Sequence, residues 1–284
     1  MRIDAMYLDR DIYDYSFAKS RWYIHSIFKN SFNLQAETKK QLVVVSIEQK
    51  NVVPNGIYVD QHSFKRLTSE IKINDLVWMD RHSLRFGFNI LELTGQQYQT
   101  KLIETTKLLD SNSVSLLLTS LEKVEKKTGY HESLSSVSVS GDPFLIAIDH
   151  LCSSQLIKQR QALQFLTGRG PGLTPSGDDM IVGHLAARFI NKKRDQVMET
   201  YLGTKLMTIN DLTTDVSLHY LLCSLDQRFN RSIIALISAL INDEPSNVQN
   251  TIQEILNTGH TSGADFLAGF TRSIKNFTHE KVRI

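Results

Sequence analysis

The stretch FLTGRGPGLTPSGDDMIVGHLAARF, residues 165–189, crowds Gly168, Arg169, Gly170, Pro171, Gly172 and Pro175 into one short corner before two adjacent aspartates and an apolar run. The run before it, QLIKQRQALQFL (155–166), has helical spacing, and MIVGHLAARF after it reads as helix again. The order is therefore helix, glycine-rich loop, helix. A dinucleotide fingerprint requires a strand in front, and a P-loop ends in Gly-Lys-Ser/Thr, which is missing here. The corner belongs to a helical domain.

Outward from it the chain changes texture. From Gln41 to about Leu93 the pattern is short and β-rich: QLVVVSIE, then VVPNGIYVD with a Pro-Asn-Gly turn, then DLVWMD and LRFGFNILEL. From about Gln97 it is helical, beginning with SVSLLLTSLEKVEKK (113–127). The Ser/Gly-rich GYHESLSSVSVSGDP (129–143) reads as a surface loop, with an active-site lid as the second reading. The expectation is an α+β protein: a small β-rich, barrel-like domain over 1–96 and a larger helical domain over 97–284 that carries the loop.

The 284 residues hold 41% hydrophobic and 22% charged residues, ordinary for a globular chain. With 32 basic against 30 acidic residues the net charge is +2, so no basic field attracts nucleic acid. Two cysteines make neither a disulfide framework nor a metal knuckle, and Cys152 and Cys223 read as buried fillers. The mixed, acidic start is unlike a signal peptide, and no apolar run approaches the ~20 residues of a membrane span. A cytoplasmic protein with no membrane or nucleic-acid partner is expected.

SGDDMIVG (176–183) is echoed by SGADFLAG (262–269), each with a nearby threonine, Thr174 and Thr261. The plainest reading is a pair of capping boxes, Ser176 with Asp179 and Ser262 with Asp265, each opening its own helix. Gly183 and Gly269, one turn later, would let two helices approach closely. Capping does not explain GRGPGLTP. Glycines there permit a nest of amides, the helix start adds free N–H groups, and Arg169 adds a fork for an anion. Asp178 and Asp179 would repel an anion. A bridging cation, one aspartate turned away as a cap, or a ligand bearing N–H donors each resolves this. The favoured combination has Asp179 capping and Asp178 receiving a ligand N–H or orienting the nucleophile. His260, beside the second echo, is a candidate catalytic group, and Thr214 in TTDVSLHY (213–220) is a cap or ligand contact. His184 and Arg188, four apart, read as a polar stripe.

GRGPGLTPSGDDMIVG is very similar to the signature of the DUF2877 family, which includes the AllH-type subunit of oxamate carbamoyltransferase. GHTSGADFLAG (259–269), TTDVS (213–217), HSIFKNSFNL (25–34) and PNGIYVD (54–60) resemble further family landmarks in order. The resemblance implies one subunit of three, together moving a carbamoyl group between oxalurate and phosphate, giving oxamate and carbamoyl phosphate, in anaerobic purine and allantoin breakdown. It implies two partner subunits and a small anionic substrate. No metal or organic cofactor is required, since phosphate is an adequate leaving group. Catalytic roles fall to Asp178 and His260. Ligand contacts fall to Arg169, Gly170, Gly172, Thr174, Ser176, Gly177, Asp179, Thr214, Thr261, Ser262 and Asp265. The rival functions are a non-catalytic scaffold that binds a small anion or nucleotide, and a Mg-dependent phosphotransferase using Asp178 and Asp179.

Overall fold

A computed structural model describes residues 2–13, 21–36, 40–47, 51–104 and 107–281. The chain divides into two compact units, Met1–Thr100 and Lys101–Ile284.

The first unit is a ten-stranded sheet curled into a half-barrel. Its strands are β1 (Arg2–Asp4), β2 (Tyr7–Asp9), β3 (Trp22–Ile27), β4 (Ser31–Ala36), β5 (Leu42–Ile47), β6 (Gly56–Val59), β7 (Leu76–Met79), β8 (Ser83–Phe86), β9 (Asn89–Glu92) and β10 (Gln96–Tyr98). The order across the sheet is β1-β9-β8-β7-β3-β4-β5-β6-β2-β10. The curl follows from one step of the chain. Ala5 N donates to Glu92 O at 2.9 Å, while the next amide, Met6 N, donates to Tyr58 O at 2.8 Å. Consecutive residues thus bond strands from opposite ends of the order, which a flat sheet forbids.

The sheet is mainly antiparallel, with three parallel pairings, β1–β9, β5–β6 and β2–β10. It also starts well before Gln41. HSIFKNSFN is the hairpin joining β3 and β4, closed by Phe28 N to Ser31 O at 2.7 Å. The Pro-Asn-Gly turn is realised, with Asn55 left-handed at φ 55°. Buried Asp9 accepts the Asn55 amide at 2.8 Å and the Thr100 hydroxyl at 3.0 Å, fastening that turn. Trp22, Ile24, Phe32, Leu34, Val45 and Leu91 fill the core. The helix α1 (Gln61–Glu70), capped by Asp60, adds Phe64, whose ring lies 6.0 Å from that of Phe32.

The second unit holds nine helices among the described residues: α2 (Ser111–Glu122), α3 (Pro143–Cys152), α4 (Leu156–Leu166), α5 (Ser176–Ile190), α6 (Gln196–Thr208), α7 (Asp215–Leu225), α8 (Arg231–Ile241), α9 (Pro245–Leu256) and α10 (Ser262–Lys281). Both echoes open helices, α5 and α10, and these two are the packing centre. Every residue of α5 except Asp179 and Val182 is buried, the pattern of a helix enclosed on all sides.

The two helices touch at backbone distance. A Cβ on Gly183 would lie 2.3 Å from Phe266 O, and one on Gly269 would lie 2.2 Å from Met180 O. Only glycine fits at either position, as the echo implied. His184 and Arg188 form no surface stripe. Arg188 Nε donates to His184 Nε2 at 2.8 Å, and its other nitrogens reach Lys193 O and Leu151 O at 2.6 Å each. With α5 enclosed, the guanidinium has backbone carbonyls as partners instead of water. Burial, and then the Arg188 charge, hold His184 well below its ordinary pKa.

Candidate functional site at two facing helix starts

The N-termini of α5 and α10 meet. Thr174 Oγ1 and Ser262 Oγ lie 2.5 Å apart. Each helix start is seated in the same way. Gly177 presses on the end of α4, where a Cβ would fall 2.0 Å from Leu166 O; Gly263 presses on the end of α9, at 1.9 Å from Ile255 O.

The start of α5 is not closed by its own side chain, in contrast to the expected capping box. The helices α2, α3, α6 and α7 carry side-chain caps from Asp110, Asp142, Asp195 and Thr214. The cap position of α5 is Pro175, which has no such side chain, and Asp178 N and Asp179 N both turn back to Pro175 O. Asp265 N donates to Thr261 O. The serines and aspartates are instead exchanged between helices. The hydroxyls of Ser262 and Thr174 lie beside Asp179, and those of Ser176 and Thr261 beside Asp265, in each case favouring the charged carboxylate.

The two adjacent aspartates face different neighbours. Asp178 is the organiser of the loop: Oδ1 accepts the Gly168 amide at 2.9 Å, and Oδ2 accepts the Ser217 hydroxyl at 2.7 Å and the Thr213 hydroxyl. The TTDVS segment therefore ties α7 to the corner. Thr214 caps α7 through Ser217 N at 3.1 Å and donates to Leu173 O. Asp179 looks toward Asp265. Burial raises both, with the facing Asp265 charge a second cause that takes Asp179 well above the usual range; burial also raises Asp178 despite its three donors.

Three sealed polar atoms at this junction have no close hydrogen-bond partner, Ser176 Oγ, Asp179 Oδ2 and Asp265 Oδ2, the neighbouring hydroxyls acting on the two carboxylates from longer range. Buried polar atoms are rarely left this way. Gly129, at the start of the connector 129–143, closes the junction from one side. Its amide donates to Asp265 Oδ1 at 2.9 Å, and a Cβ there would lie 2.2 Å from Ser176 Oγ, 3.0 Å from Thr261 Oγ1 and 3.1 Å from Asp265 Oδ2. The connector is held down beyond that point. Arg272 bonds Asp149 through Nε and a second nitrogen, at 2.7 Å each, and donates to Val137 O and Ser138 O.

In the loop itself, Gly168, Gly170 and Gly172 have φ of 71°, 124° and 91°, conformations that side chains disfavour. The amides of Gly168, Arg169, Gly177 and Asp178 are spent on internal bonds. Those of Gly170, Gly172, Leu173, Thr174 and Ser176 have no partner among the described residues. Arg169 stands exposed, its guanidinium 4.2 Å above the Phe165 ring and its Nε on Phe165 O at 2.6 Å, which leaves its two terminal nitrogens outward. His260 is exposed on the turn before Thr261. The structure thus brings together Gly170, Thr174, Ser176, Gly177, Asp179, Thr261, Ser262 and Asp265. It sets Asp178 and Thr214 behind them, and leaves Arg169, Gly172 and His260 on the surface. Thr213, Ser217 and Gly129 were not foreseen as site residues.

A helical unit whose two central helix starts enclose a polar junction, joined to a curled-sheet unit, is the class that fold and site define. Two family models match the chain: the AllH family N-terminal domain over residues 4–101, and the oxamate carbamoyltransferase subunit AllH over residues 166–274. The chain belongs to the AllH family. No solved structure matches it. No helix among the described residues is long and apolar enough to cross a membrane.

Proposed function

We propose that this chain is a subunit of an oxamate carbamoyltransferase complex and that its small-anion site is the junction of α5 and α10. The complex moves a carbamoyl group between oxalurate and phosphate in purine and allantoin degradation, acting with two partner subunits. In the direction of oxalurate synthesis, the oxamate amide nitrogen attacks the carbamoyl carbon of carbamoyl phosphate. A C–N bond forms, the C–O bond to phosphate breaks, phosphate leaves with the electron pair, and the amide loses one proton. Such a transfer needs an anion cradle and alignment of nitrogen with carbonyl.

The observation that carries the reading is the set of amides without partners in 170–176 at the start of a buried helix. Backbone N–H groups at such a start favour a carboxylate or phosphate. In this reading Asp178 positions the loop through Gly168, Thr213 and Ser217, and His260 exchanges protons with the solvent side of the site. A phosphotransferase that uses Asp178 and Asp179 as joint metal ligands is less well supported, because Asp178 is turned to the loop and α7 while Asp179 is turned to Asp265.

The test is reconstitution of the complex with and without this chain, following consumption of carbamoyl phosphate that depends on oxamate. Loss of turnover on omission supports the proposal. Undiminished turnover contradicts it. Ligand binding by this chain, with turnover supplied wholly by the other subunits, would favour the scaffold reading.

A further inference from the structure

The turn 128–132 closes over the junction, and polar atoms on both sides of the contact are sealed. Ser176 Oγ and Asp265 Oδ2 lie against its Gly129, and Tyr130 Oη belongs to it; none of the three has a close hydrogen-bond partner. The chain is anchored on either side. Before the turn, Lys126 Nζ donates to Leu256 O at 2.8 Å. After it, Leu134 and Val137 sit in the core, and Arg272 holds Val137 O and Ser138 O. Between these anchors the turn is pinched at its own base, where Thr128 N donates to Glu132 O and Glu132 N to the Thr128 hydroxyl, both at 3.0 Å. Its apex is fastened by the Gly129 amide on Asp265 Oδ1 at 2.9 Å and by the Tyr130 ring stacked on Phe144 at 4.6 Å. His131 is left-handed at φ 69°, a conformation that costs a residue with a side chain some strain.

We infer that the turn 128–132 is a stopper that lifts as a unit from the starts of α5 and α10 while both helices stay folded. This goes beyond the small-anion reading and does not depend on it. Lifting breaks the Gly129–Asp265 bond and the Tyr130–Phe144 stack. In return water reaches Tyr130 Oη, Ser176 Oγ and Asp265 Oδ2, which the closed turn leaves unpaired at a cost. The bonds inside the turn survive, because Thr128 and Glu132 hold each other. The segment beyond has no such return, since moving Leu134 or Val137 opens the apolar core. Openings confined to one short segment are a regular part of a native ensemble. The stopper sets when solvent meets the facing helix starts. Closed, Gly129 fills the space beside Ser176 Oγ, Thr261 Oγ1 and Asp265 Oδ2.

The test is the rate at which iodoacetamide labels a thiol placed under the stopper. Ser176→Cys in the full chain, checked for native circular dichroism, puts that thiol where the sealed hydroxyl stands. Cys152 and Cys223, buried in the same unit, report its unfolding. The introduced thiol is expected to react roughly tenfold or more faster than either native cysteine. Low urea concentrations should leave its rate nearly unchanged while speeding Cys152 and Cys223, because lifting a turn exposes little surface. Hydrogen exchange on the unaltered chain supplies a second measurement. The Gly129 amide, although hydrogen-bonded, should exchange roughly tenfold or more faster than the interior amides of α5, with the same flat response to urea. An introduced thiol as slow as the native cysteines, a shared urea slope for all three, or a Gly129 amide as protected as the interior of α5 would each overturn the inference. None of these outcomes bears on whether the loop amides take an anion.

Discussion

The two helix starts of the second unit are built on one plan and then made to differ. Leu166–Gly177 and Ile255–Gly263 share a left-handed glycine after the preceding helix, Gly168 at φ 71° and Gly259 at φ 61°. They share a glycine seated on that helix's last carbonyls and a serine given to the other's aspartate. The second start is otherwise a bare turn. The first carries the extra Arg169–Pro175 loop, and with it the amides that lack partners. The common plan makes two buried helix starts face each other; the added loop makes one of them a donor surface.

The strongest way to break the comparison is at the glycine crossing. Gly183→Ala and Gly269→Ala each push a methyl into backbone, so each is expected to cost roughly 3 kcal/mol or more, read as a fall in the denaturation midpoint. Equal losses would bear out the equivalence of the two helices; a tolerated substitution at either site would refute the close crossing. Further along, the likeness ends, because His184 and Arg188 correspond to Phe270 and Ile274 in α10. Arg188→Met orphans Leu151 O and Lys193 O and should cost about 2 kcal/mol.

The adjacent aspartates sharpen the comparison further. Asp178→Asn replaces one of the two accepting oxygens with an NH2 group that faces a donor, and should cost about 1–2 kcal/mol, with faster amide exchange at Gly168. Thr214→Ala loses the α7 cap and the tie to Leu173, about 1 kcal/mol. Asp179→Asn is expected to do the reverse near neutral pH. The carboxyls of Asp178, Asp179 and Asp265 are raised above 3.8 in the folded chain, so the fold holds their protons more tightly than the unfolded chain does. Their contribution is full below about pH 3.8 and is lost as pH climbs through the raised folded values. Midpoints measured across pH should therefore fall with rising pH, and the Asn variant should flatten that fall. An unchanged slope would mean that Asp179 is ordinarily ionised.

Much of this frame was legible in the sequence. The repeated Ser-Gly-x-Asp-x-x-x-Gly pointed to matched helix starts and a glycine crossing, and a helix before GRGPGLTP excluded the strand-led phosphate motifs. The exchange of serines between helices was not legible, because a capping box is a local pattern and the real partner lies in the other echo. Gly129 was hidden as a lone glycine at the edge of a polar connector. In the sheet, β1 and β2 were missed because Arg2–Asp4 and Tyr7–Asp9 are too short to show alternation; the closing step at Ala5 and Met6 gives them partners. The helix α1 buries only Phe64 and Leu67, too thin a stripe to stand out.

The central claim is that the amides of the inserted loop receive a small anion. Amide-resolved NMR of the isotopically labelled chain during titration with oxamate tests it directly. The account predicts saturable shifts concentrated at Gly170, Gly172, Leu173, Thr174 and Ser176, with Gly259 and the sheet unit undisturbed. Saturable shifts located elsewhere, with those five amides unmoved, would contradict it.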